Sequence, residues 1–174
     1  GNLADASPIA DTAPILLALD AQVIAVRKGD TRVIDLKDFF TGVNSTSLAE
    51  NEVIESVVVP VRPDAKAKMV KLGLRNGYSC SVSSAAVRLE MEGTKVSDIR
   101  IALGGVAPTP VRAYNSEKEF IGNELSRESA ASFADSVAED ISPITDVRGS
   151  AEYRMDIAKI QVRQAVLEAA GMEV

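Results

Sequence analysis

The stretch AAVRLEMEGTKVSDIRIALGG, residues 85–105, restricts the fold more than any other part of the chain. Val87, Leu89 and Met91 alternate with charged neighbours in one arm, and Ile99, Ile101 and Leu103 form a second alternating arm. Side chains of an extended strand point to opposite faces at a period of two, so each arm presents one apolar face. The intervening EGTK supplies a turn, and the two arms read as an antiparallel hairpin.

Upstream lies a second hairpin, formed by QVIAVRK and TRVIDL around Gly29-Asp30, followed by one helical turn at DLKDFFTG. EVIESVVVPV loses its alternation in consecutive valines and meets Pro60. This predicts a largely buried strand ending at an edge or bend, with AKMVKLGLRNG as its partner. The polar stretch Tyr78–Ser84 reads as a connection, with Cys80 as a small buried side chain.

Beyond the proline-rich crossing at Pro108 and Pro110 the pattern turns helical. Ser126 is placed to cap a helix carrying Ala130, Phe133, Ala134, Val137 and Ile141, and a final helix spans about Ala151–Ala170. The stripe predicted on that helix is Tyr153, Ile157, Ile160 and Leu167, with Arg154 at the surface and Gly171 as a left-handed stop. Near the start, Asp11 stands where its carboxylate caps TAPILLAL. Strands followed by helices predict an α+β arrangement, an antiparallel sheet covered by a helical layer, with a polar seam at Pro63–Ala67.

Composition then removes function classes. With no histidine and one cysteine in 174 residues, the chain has no internal ligand set for zinc, haem or an iron-sulfur cluster. It also lacks the base of a Ser-His or Cys-His nucleophile. A formal net charge of −6 without a Lys/Arg cluster argues against nucleic acid as a partner, and no apolar run is long enough to span a bilayer, which points to the cytoplasm. No phosphate-binding glycine loop precedes a helix; Gly104-Gly105 reads as a tight bend.

Four strings occur in a telling order: GNLADASPIADTAPILLAL, DFFTG, IALGGVAPTPVRA and DVRGSAEYR. Together they resemble the FAD-binding (medium) subunit of the xanthine dehydrogenase and carbon monoxide dehydrogenase family of molybdenum hydroxylases. The resemblance implies a division into residues 1–63, the later portion of a FAD-binding domain, and 64–174, a C-terminal domain of antiparallel sheet and helices. The half of the FAD domain that carries the glycine-rich pyrophosphate loop has no counterpart in this sequence.

It also implies a role: FAD accepting electrons from 2Fe-2S clusters on a small subunit, downstream of a molybdopterin-binding large subunit, and passing them to NAD or another acceptor. The alternative is an assembly module of the same complex that binds no FAD by itself. Residue by residue, the resemblance places Gly1 and Asn2 at the flavin's phosphate and ribityl groups, with Asp11 in contact with FAD. Ile54 lies against the isoalloxazine ring, and Lys71 is a cation near it. Arg75 also fits the family; Arg112, Arg148 and Tyr153 are candidates for contacts between subunits, or for anchoring loops within the domain.

Overall fold

The computed structural model describes residues 1–174. From the start, α1 (Asn2–Asp5) and α2 (Thr12–Ala18) lead into β1 (Gln22–Arg27) and β2 (Asp30–Asp35). A 3-10 turn at Leu36–Asp38 precedes β3 (Phe40–Gly42), β4 (Ser45–Thr46) and β5 (Val53–Val58). The second half comprises β6 (Lys66–Gly73), β7 (Ser81–Glu92), β8 (Lys95–Gly104) and β9 (Val111–Arg112). After these come α3 (Tyr114–Phe120), α4 (Arg127–Ala134), a 3-10 turn at Asp135–Glu139 and α5 (Ala151–Ala169). The α+β class predicted from the strand-then-helix order is the one observed.

The β7–β8 hairpin is longer than its apolar alternation, pairing from Ser84↔Gly104 to Glu92↔Lys95 around Gly93-Thr94, and it forms the centre of an antiparallel sheet β6-β7-β8-β9. Its odd-numbered residues, Ala85, Val87, Leu89, Ile99, Ile101 and Leu103, pack against α3, α4 and α5 in one core. The opposite face is covered as well: Ala86 and Ala102 lie in a second core with Ala13, Leu17 and Ala18 of α2. Every residue of β7 from Ser81 to Leu89 is therefore buried, because small residues on the second face let the preceding 60 residues approach closely.

That preceding segment builds a separate sheet, β2-β1-β5, from the predicted Gly29-Asp30 hairpin plus one further strand. Here the expectations for EVIESVVVPV need correction. The strand pairs with β1 and not with AKMVKLG, and it is an edge whose Val53 and Val58 are 62% and 47% exposed. The turn-rich PVRPDA carries the chain between sheets, so two strands adjacent in sequence belong to different layers; β6 pairs with β7. DLKDFFTG is helical only over the 3-10 turn at Leu36–Asp38: Phe39 is buried after it and Phe40 enters a two-stranded pair with Thr46.

The stretch predicted as a polar connection is half strand. Ser81 to Ser84 lie inside β7 fully buried, which their small volume permits; the Ser81 hydroxyl donates to Asp11 and that of Ser83 to Gln161, while the Ser84 hydroxyl has no partner, and Cys80 just before them is exposed. Ser126 caps α4 by accepting from the Ser129 amide at 3.1 Å, and Gly171 has φ +74°, both as predicted. Of the predicted stripe on the final helix, Leu167 is buried and Ile157 half-buried, but Tyr153 and Ile160 are exposed, and the inward face is otherwise Ala158, Val162, Ala165, Val166 and Ala169 with Arg154 and Gln161. Small side chains allow α5 to lie close to β7, and this closeness outweighs the larger hydrophobicity of Ile160.

Candidate functional site

At the start of the chain, α1, the first turn of α2 and β5 converge on a cleft of about 510 Å3. Its apolar wall is formed by Leu16, Leu48, Val53, Ile54 and Val57, and its polar end by Gly1, Asn2 and Thr12. The Asn2 Oδ1 accepts from the Thr12 amide at 3.4 Å and from the Thr12 hydroxyl, which ties α1 to the start of α2. Gly1 has nothing within 4 Å of the position a Cβ would occupy.

Asp11 does not cap α2 as predicted. Its backbone is already helical (φ −73°, ψ −28°), whereas a capping residue needs an extended one, and its side chain makes no cap hydrogen bond. The carboxylate instead accepts from the Lys71 ammonium at 2.7 Å and from the Ser81 hydroxyl. Lys71 also donates to the Ser79 carbonyl at 3.0 Å, and Arg75 donates to the Tyr78 carbonyl at 2.5 Å, so both cations secure the 74–80 loop. Tyr78 itself is fully exposed with φ +48°.

Of the five predicted site residues, Gly1, Asn2 and Ile54 line the one cleft. Asp11 and Lys71 form an ion pair beside it, one residue before the lining Thr12, with both side chains 39% exposed. Thr12 and Ser81 are partners that sequence reasoning missed. The available signal was a serine at the head of an alternating run and a threonine opening a helix, and both residue types are more often simply solvated.

Glu52 completes the rim. The Arg32 guanidinium donates to it through Nε and Nη2, each at 2.8 Å, and the Ala49 amide donates at 2.8 Å; together they hold the carboxyl down at about 2 against an ordinary 4.5. A depressed folded value means the contribution is complete above about pH 4.5 and is lost as the pH falls towards 2. Glu52→Gln is therefore expected to flatten the acid limb of stability in that window, measured as urea midpoints across a pH series. An unchanged slope would remove this pair from the acid response.

Of the three C-terminal candidates, Arg112 and Arg148 have side chains engaged within the chain. Arg112, nearly buried, donates to Glu117 at 2.6 and 2.9 Å and to Asp20 at 2.9 Å. Arg148 reaches Asp146 at 3.4 Å. Arg154 is 2% exposed and not a surface residue: it donates to the Gly105 carbonyl at 2.7 Å and to Asp146 at 2.6 Å. Tyr153 alone remains exposed.

An apolar wall with a polar end at helix entries suits one end of a dinucleotide carrying a flat apolar ring. Nowhere do three or more His, Cys, Asp or Glu residues cluster as a metal site, and no helix is long and apolar enough to cross a membrane. Residues 1–62 match the model for the FAD-binding domain in molybdopterin dehydrogenase, and residues 68–169 match that for the CO dehydrogenase flavoprotein C-terminal domain. Glyceraldehyde dehydrogenase medium chain of Sulfolobus acidocaldarius is 32% identical over 98% of this chain and 60% of its own length. Nicotine 6-hydroxylase medium subunit of Paenarthrobacter nicotinovorans is 33% identical over 97% and 59%. The solved carbon monoxide dehydrogenase of Hydrogenophaga pseudoflava superposes with a TM-score of 0.93 at 30% identity, covering 98% of this chain and 60% of that one. The chain thus spans about three-fifths of the length of the curated relatives it matches.

Proposed function

The chain belongs to the FAD-binding medium-subunit family of the molybdenum hydroxylases, and from that premise we propose that its cleft holds the flavin of an electron-transfer subunit. The observation that carries the proposal is the convergence of Gly1, Asn2 and Ile54 on one apolar-walled cleft beside the Lys71–Asp11 pair. Bound FAD supplies a carrier of two electrons. The residues of the chain bind it, orient it and set the charge around it: Ile54 and Val57 offer a flat apolar surface, and the Gly1–Asn2 turn offers backbone donors. We assign no general acid or base.

In this role the subunit, taken as residues 1–63 and 64–174, receives electrons from 2Fe-2S clusters on a small partner subunit. A molybdopterin-bearing large partner supplies them, and NAD or another acceptor takes them, in the cytoplasm. The discriminating experiment is the visible absorbance of the protein purified with and without the remainder of its subunit. Flavin bound in the complete subunit is the expected result. Flavin bound in neither sample would leave an assembly module that carries no cofactor.

The ion pair supplies a signed test. Removing one exposed charge a few ångströms from a site changes the local energy by about 1 kcal/mol, or roughly 20 mV for a two-electron couple. Lys71→Ala is expected to lower the flavin midpoint potential by about that amount, and Asp11→Asn to raise it. Shifts of the same sign, or none, would remove the pair from the tuning of the flavin.

A further inference from the structure

We infer that Asp20 is the positioning residue of the cleft, seating α2 from the end remote from it. The inference rests on the flavin reading above and names the group that sets the geometry of that site. α2 has seven residues and is about 10 Å long. Its first residue, Thr12, lines the cleft, with Asp11 immediately before it. Its last turn meets three arginines of the larger sheet.

Arg112 donates to Asp20 Oδ1 at 2.9 Å, and Arg88 and Arg100 both reach Oδ2 at 3.3 Å. Two of these cations also face the end of the helix itself: Arg88 Nε donates to the Ala18 carbonyl at 3.3 Å and Arg112 to the Leu17 carbonyl at 3.5 Å. Cations at a helix C-terminus satisfy its free carbonyls and complement its dipole. The sockets are firm, since the Arg88 and Arg112 side chains are only 2% and 7% exposed. Asp20 occupies a left-handed backbone position, φ +52°, that only Gly, Asn and Asp adopt readily. The helix is thereby fixed at both ends to one sheet, through Asp11 on β6 and β7 and through Asp20 on β7, β8 and β9.

The arginines do not depend on Asp20 for charge balance. Arg88 keeps Glu90 and Asp98 at 2.8 Å each, Arg100 keeps Asp98, and Arg112 keeps Glu117. Asp20→Asn, an isostere that tolerates the same backbone angle, therefore loosens the helix and leaves the sheet intact.

The experiment compares wild-type, Asp20→Asn, Asp11→Asn and the double variant of the full-length subunit, by amide hydrogen exchange and by titration with FAD. In Asp20→Asn the amides of Leu19, Asp20 and Ala21 are expected to exchange about tenfold faster while those of β7 and β8 keep their rates. The FAD dissociation constant is expected to rise about tenfold, and the Asp11→Asn effect to shrink in the double variant, since both residues act through one helix. Unchanged exchange at residues 19–21 overturns the inference, as does faster exchange with unaltered, additive FAD affinities. If wild-type protein takes up no FAD, the flavin reading fails. The seating of α2 then stands or falls on the exchange rates alone.

Discussion

Replacing Gly105 by alanine is expected to lower stability by about 3–5 kcal/mol, the larger part of what a domain of this size has to lose. Gly105 has φ +75°, where a Cβ costs about 1–2 kcal/mol. That Cβ would also stand 2.7 Å from the Val82 carbonyl oxygen, a backbone atom of the buried central strand that has little room to move. Any relief by displacement breaks two further bonds: the Gly105 amide donates to the Pro8 carbonyl at 2.7 Å, and the Gly105 carbonyl accepts from buried Arg154 at 2.7 Å. A fall in Tm of about 10 °C is expected, at roughly 2–4 °C per kcal/mol. The neighbouring Gly104→Ala serves as comparison, because its Cβ would meet the Ser84 hydroxyl at 2.9 Å and Pro14 Cγ at 3.0 Å, side-chain atoms at a position without positive φ. It should cost clearly less, and equal losses at the two positions would refute the assignment of the penalty to backbone conformation.

The second large effect is expected at Ile101. Its side chain is fully buried at the centre of β8, opposite Val87, in the core shared with α5. Ile101→Ala removes three methyl or methylene groups and leaves a cavity in a layer that is covered on both sides, so about 3–4 kcal/mol is expected. The corresponding change on the edge strand, Val53→Ala, should cost under about 0.5 kcal/mol, since Val53 is 62% exposed. Urea unfolding of both variants checks the contrast. Equal losses would mean that β5 is covered in the folded protein.

The elements whose burial follows local periodicity were legible in the sequence. The 85–105 hairpin, the Ser126 cap and the Gly171 stop each rest on neighbours within a few residues. What escaped was burial decided by distant parts of the chain. Arg88 alternates with Val87 and Leu89 and reads as a solvated face, but the N-terminal segment covers that face and the arginine ends 2% exposed among Asp20, Glu90 and Asp98. Arg154 is similar, buried by a bond to Gly105 that lies 49 residues away. Conversely, the valines of β5 look like core and sit at an edge, because no local signal tells a strand which sheet it joins.

For the cleft, family resemblance located Gly1, Asn2 and Ile54, and the residues alone would not have done so. It was the fold that revealed the engagement of Asp11 with Lys71 and Ser81, since Asp11 lies 60 and 70 residues from them in sequence.

The central hairpin, filled on both faces and closed by the two residues Gly93-Thr94, also sets an order of events during synthesis. Its own pairing is local and can form within microseconds of its appearance. The apolar side of α2 has no such freedom, because Ala13, Leu17 and Ala18 rest on Ala86 and Ala102. Between the emergence of residue 62 and that of residue 102 from the ribosome, roughly 2–8 s pass at ~5–20 residues per second. Throughout that interval the side of α2 that Ala86 and Ala102 cover in the folded protein is without them, so its burial waits on the hairpin.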